Sequence, residues 1–162
     1  MPGANPLGTW ALISGTADAG VFNAAAGTLN PSLQTTATTL VISYTVAGTS
    51  PCTDAVGSLT ISIILAPEAG TGSTIDVCSN DNTIVNLGTL LTGEDLGGTW
   101  TLQSGSPIPG SFNAAAGTFN PAGQSGGAYV FQYEAVGCGL TDLETVTINI
   151  TPAPDAGVGG ST

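Results

Sequence analysis

Eleven Asp and Glu side chains are the only groups that carry charge at pH 7 in a sequence of 162 residues without a single Lys, Arg or His. Chemistry in this chain therefore falls to carboxylates, three cysteines and neutral oxygens. Two carboxyls facing each other roughly 5–10 Å apart can hydrolyse a glycoside, and the sequence offers Glu94 with Asp95 and Asp142 with Glu144. Calcium needs only oxygen ligands. The run Asn80-Asp81-Asn82, together with Glu68 and Asp155, is the candidate set for a structural calcium, although none of it forms a D-x-D-x-D-G loop.

The missing residue types exclude more than the present ones allow. Without His or Lys there is no Ser-His-Asp or Cys-His nucleophile, no Walker lysine and no Schiff base. Without imidazole, and with no C-x-x-C pair among the cysteines, an ordinary zinc or copper site is ruled out. A net charge of −11 makes nucleic acid and anionic membranes poor partners, because both are bound by releasing counterions to cations. Apolar runs reach at most about six residues, against the roughly 20 of a transmembrane helix, and no basic segment precedes them as in a signal peptide. Membrane insertion is not expected, and the catalytic residue set is expected to be empty.

The elements that must position these groups come in two copies. Gly8 to Pro31 matches Gly98 to Pro121 with 16 of 24 residues identical, and Cys52 aligns with Cys138, Thr60-Ile61 with Thr147-Ile148 and Pro67 with Pro154. The last two matches give a period of 87 residues, close to an immunoglobulin-like sandwich and far longer than a solenoid coil. The expected organisation is an incomplete first repeat over 1–67 lacking its first strands, a complete repeat over 68–154, and a linker over 155–162 that opens a further repeat. This frame implies a segment of a longer array. The acid pairs do not repeat: Ala4 and Asn5 stand where the second copy has Glu94 and Asp95, which argues against a catalytic dyad.

Alternation is strand-like throughout. Leu40, Ile42, Tyr44 and Val46 recur at every second residue, as do Leu59, Ile61, Ile63 and Leu65, then Tyr129, Phe131 and Tyr133, then Val146, Ile148 and Ile150. Each series predicts one buried and one solvated face. Shorter strands are expected at Trp10 to Ile13, Ile75 to Cys78, Thr83 to Leu90 and Trp100 to Gln103. The Ala24 to Ala26 and Ala114 to Ala116 triplets are too short to nucleate a helix. The fold class is all-β, as tandem Ig-like antiparallel β-sandwiches.

Three cysteines fit one bridge per repeat. Cys78 with Cys138 would tie a first strand to the far end of its own domain, and Cys52, the counterpart of Cys138, would pair outside this chain; three buried thiols is the alternative. Trp10, Trp100, Tyr44 and Tyr133 read as structural core, with sugar stacking on an exposed Trp as the alternative. The Asn149-Ile150-Thr151 sequon lies inside a well-patterned strand and is discounted.

The order Gly-Gly-Thr-Trp (97–100), Gly-x-Phe-Asn, Gly-Thr-Phe-Asn-Pro, Gly-Gly-Ala-Tyr-Val-Phe-Gln-Tyr, Cys, Thr-Val-Thr-Ile-Asn-Ile and Pro-Ala-Pro-Asp-Ala-Gly resembles the tandem Ig-like repeats of giant cell-surface adhesins of gliding Bacteroidota. The Asp-Val-Cys-Ser-Asn-Asp run (76–81) resembles their opening strand. The resemblance implies a non-catalytic structural or adhesive module of an extracellular or cell-surface filament, with neighbouring repeats or identical subunits, and surface polysaccharide, as partners. A filament subunit that polymerises by strand exchange and a carbohydrate-binding module are the competing expectations.

Overall fold

The computed structural model describes residues 8–154. The opening heptapeptide of the first expected repeat and the 155–162 linker, with Asp155, lie outside the described residues. Among the described residues the fold is all-β with two short 3-10 turns, and the chain divides into two compact units, Met1–Leu65 and Ala66–Thr162. Among the described residues no helix is long and apolar enough to cross a membrane.

The first unit contains β1 (Thr9–Ser14), β2 (Phe22–Asn23), β3 (Thr28–Leu29), β4 (Thr38–Val46) and β5 (Ala55–Ile63). β1, β4 and β5 form an antiparallel sheet in that order, which leaves β5 at an edge. Leu40, Ile42 and Tyr44 on β4 are all buried, as period-two alternation requires of a one-sided strand. β2 and β3 form a small hairpin around the alanine triplet. There the Ala26 N–H donates to Asn23 Oδ1 at 3.1 Å, fixing a turn where a helix cannot nucleate.

The second unit contains β6 (Thr71–Gly72), β7 (Thr74–Cys78), β8 (Val85–Asn86), β9 (Leu91–Thr92), β10 (Thr99–Ser104), β11 (Phe112–Asn113), β12 (Thr118–Phe119), β13 (Gly127–Gly137) and β14 (Leu140–Thr151). Its main sheet runs β10-β13-β14-β7, with smaller sheets β11-β12-β8 and β6-β9. Phe119 packs on Tyr129 and Phe131 at 5.2 and 5.0 Å between ring centroids, and Phe112 packs on Phe131 at 4.9 Å. The smaller sheet thus covers the main one in a sandwich-like arrangement. Thr83 to Leu90 is a strand only at Val85 and Asn86. Asn86 Oδ1 accepts from the Gly88 N–H at 3.0 Å and turns the chain into the 3-10 segment Leu87–Leu90, whose three-residue spacing buries both Leu87 and Leu90.

The two units repeat each other in register. Trp10 pairs with Tyr44 and Trp100 with Tyr133; Leu40 pairs with Ile61 and Tyr129 with Ile148. A register shift falls at Leu12/Ser14 in one and at Leu102/Ser104 in the other. They differ beyond the hairpin: β14 has β7 on its outer side, in parallel, while among the described residues β5 pairs only with β4.

Candidate functional site

In the second unit the aromatic hub is built from the Gly-Gly-Thr-Trp turn and β13. The Tyr133 hydroxyl accepts from the Gly98 N–H at 2.8 Å and donates to the Asp95 carbonyl at 2.6 Å. Its ring lies 5.0 Å from that of Trp100. Gly117 closes the turn below the indole with φ +61°, and a Cβ there would meet Trp100 Nε1 at 2.7 Å. The first unit repeats this hub: Gly8 N–H donates to the Tyr44 hydroxyl at 2.9 Å, the rings of Trp10 and Tyr44 lie 4.5 Å apart, and Gly27 has φ +64°. Trp100, Tyr44 and Tyr133 are buried, whereas Trp10 is only half-buried.

An open cleft of about 270 Å³ lies beside Trp100, lined among others by Leu91, Glu94, Leu96, Gly117 and Tyr133. It offers one carboxylate and an indole that is only 9% exposed. Stacking a sugar needs an open ring face, which Trp100 does not present.

Six of the remaining acids hold backbone, and Asp54 does so by accepting from the Gly48 N–H at 2.9 Å. Asp95 Oδ2 accepts from the Glu68 N–H at 3.0 Å, and Asp142 Oδ2 accepts from the Ala69 N–H at 2.8 Å, so one carboxylate from the loop before β10 and one from β14 clamp the segment that leads into the second unit. Glu144 Oε1 accepts from the Thr145 N–H at 2.8 Å. Asp18 takes both the Thr35 hydroxyl and N–H at 2.7 Å, and these bonds, the hydroxyl first, hold its carboxyl below the ordinary value. The Thr83 N–H, then the Thr83 hydroxyl, do the same for Asp81.

The calcium candidates do not converge. Glu68 lies beside Asp142 at the start of β14, while Asp81 turns back on Cys78, which pairs with Thr151 at its end. Asn80, Asp81 and Asn82 therefore sit at the opposite end of the unit from Glu68, and Asp155 is outside the described residues. Among the described residues no three Asp, Glu or Cys side chains come together to hold a metal ion.

The expected Cys78–Cys138 disulfide does not form. Cys138 occupies the turn between β13 and β14, whereas Cys78 lies against the last residue of β14. Eleven steps of strand rise separate those positions, roughly 35 Å, against the roughly 4–7 Å between Cα atoms that a bridge spans. The sequence places Cys78 early and Cys138 late, which suits a bridge only if the first strand runs antiparallel to the last. The parallel pairing of β7 with β14 reverses that. Cys52 is exposed in the loop between β4 and β5. Asn149 of the sequon donates its side-chain amide to Asp76 Oδ1 at 2.9 Å across the same parallel pair.

Two structural roles escaped the sequence reading. Gln34 and Gln124 are buried, and their side-chain oxygens accept from the Asp18 and Ile108 N–H groups at 3.2 and 3.0 Å. Their shared position three residues after the Asn-Pro proline of each repeat is a signal that could have exposed them. The Asp142 clamp has no such signal, since Ala55 takes its place in the first unit's hairpin.

No family model, curated protein or solved structure matches the chain.

Proposed function

We propose that the chain is a non-catalytic structural or adhesive module of an extracellular or cell-surface filament, each unit being an Ig-like sandwich repeat. One observation carries this reading: both units use the same glycine, tryptophan and tyrosine hub in the same strand register. Successive units that keep one framework within one chain, and differ in their acids, suit a part whose job is repetition. Asp95, Asp142 and Glu144 are engaged with backbone N–H groups, consistent with carboxylates that shape turns and keep a polymer soluble. Neighbouring repeats or identical subunits are the natural partners, and polysaccharide the surface such a filament would meet. Immunogold electron microscopy of intact source cells tests it: label along surface filaments is the expected outcome, and label confined to the cell interior overturns the reading.

A carbohydrate-binding module is the second reading, favoured by the half-buried Trp10. Saturable quenching or blue-shift of Trp10 emission by polysaccharide, seen in a Trp100→Phe variant, would establish it over the purely structural role.

A further inference from the structure

Both units carry the same hairpin, and among the described residues only the second has a strand along its outer edge. In the second unit β7 lies parallel to β14 with Thr147 opposite Thr74, Ile148 opposite Ile75 and Thr151 opposite Cys78. The Thr147 N–H donates to the Ser73 carbonyl at 3.1 Å and the Ser79 N–H donates to the Thr151 carbonyl at 2.9 Å. Ile75 and Val77 pack against the core. Under this cover Val146 and Ile148 are fully buried. At the 87-residue spacing the same positions on β5 are Leu59, which is 42% exposed, and Ile61, which is only half-buried. The outward groups corresponding to Thr147 N–H and Thr151 C=O are those of Thr60 and Ile64.

We propose that the outer edge of β5 accepts a parallel strand, and that its occupant is an extended segment with the chemistry of Gly72 to Ser79 that lies outside residues 8–154. That segment has Gly at its start, β-branched apolar residues at alternate positions, and a turn after its cysteine. Strand addition supplies main-chain bonds for affinity and alternate side-chain sites for specificity, and an exposed apolar edge of this kind is one that proteins normally cover. Charge permits it: Ala55 to Leu65 contains no acid to repel the aspartate at the position of Asp76. Ser62, in the place of Asn149, offers that aspartate a hydroxyl donor. Gly72 defines the fit, since a Cβ there would collide with the Thr145 carbonyl oxygen, whose counterpart belongs to Ser58. The proposal rests on the repeat-module reading but has its own readout, because filament labelling and edge cross-linking can fail independently.

The test uses the full chain carrying Ile64→Cys and a synthetic peptide of residues 70–80, whose one cysteine is Cys78. Exchange with glutathione disulfide removes the two thiol hydrogens and two electrons and releases two glutathione thiols. The register places the introduced thiol opposite the peptide cysteine. The expected result is labelling of the introduced thiol at least about tenfold faster than Cys52, Cys78 or Cys138. It should be lost with a Gly72→Val peptide, and lost again in a Thr60→Pro chain, which removes an outward N–H and leaves the β4 pairing in place. A chain-to-chain bond from the introduced thiol to Cys78, formed without peptide, also supports the proposal, with a second copy as donor. Even labelling of all cysteines, equal labelling by the Gly72→Val peptide, or dimers linked through two introduced thiols by edge-to-edge pairing would overturn it.

Discussion

At the scale of the residue, the most informative side chains are those that turn toward backbone. Tyr133 satisfies one donor and one acceptor of the loop before β10, so Tyr133→Phe should destabilise the second unit by about 1–3 kcal/mol, the penalty for stranding part-buried polar groups. Urea denaturation followed by Trp100 emission measures it. Gly117→Ala combines a left-handed backbone with a collision against the indole and should lose at least about 1 kcal/mol. Asp18 sets a pH dependence whose sign is fixed. Its carboxyl is held below the ordinary value, so the folded state gains above the unfolded pKa of about 4 and loses that gain as pH falls through the lowered value. Thermal melts from pH 5 to pH 2 should show a smaller acid loss for Asp18→Asn than for the parent chain; an identical profile would refute the role. Because Asp18 is only half-buried, the effect will be modest. These roles were only half legible. Tyr44, Trp100 and Tyr133, read as core from position and period, are buried, whereas Trp10, read the same way, is only half-buried; the bonds made by the Tyr133 hydroxyl, Gln124 and Asp142 depend on which segments fold back, and no local pattern encodes that.

At the scale of the element, alternation made the two long hairpins readable, because a strand with one buried face writes its period into sequence. Turn chemistry was readable in the Phe-Asn-Ala-Ala-Ala-Gly-Thr boxes for the same local reason. What could not be read was direction and cover. β7 runs parallel to β14, and a five-residue strand carries no mark of whether its neighbour is parallel or antiparallel; the disulfide expectation failed on that point. The leucines of Leu87–Leu90 look like strand residues until Asn86 captures the Gly88 N–H. Cover has a measurable consequence in repeat-matched positions. Ile148→Ala removes a fully buried side chain and should cost about 2–5 kcal/mol, while Ile61→Ala at the half-covered counterpart should cost clearly less. Parallel urea titrations of the two variants decide this, and equal costs would mean that β5 is as well covered as β14.

At the scale of the whole molecule, two units with one hub have unequal cores. The contiguous buried cluster of the second unit runs from Ala69 to Ile150 and draws on all three of its sheets, whereas that of the first, among the described residues, consists of Val21, Leu40 and Ile63. Burial of apolar area is the dominant favourable term in folding, and its loss is what a small unit can least absorb. Unfolding of the full chain should therefore occur in two steps, the first unit leaving before the second. The tryptophans report separately, one per unit: in a Trp100→Phe background the emission of Trp10 should follow the lower transition, and in a Trp10→Phe background that of Trp100 the higher. A ligand that binds only the folded first unit raises its midpoint by mass action, so the 70–80 peptide should shift the Trp10 transition upward in proportion to the logarithm of its concentration and leave the Trp100 transition where it was. Coincident transitions at every peptide concentration would show instead that the two units fold as one cooperative body.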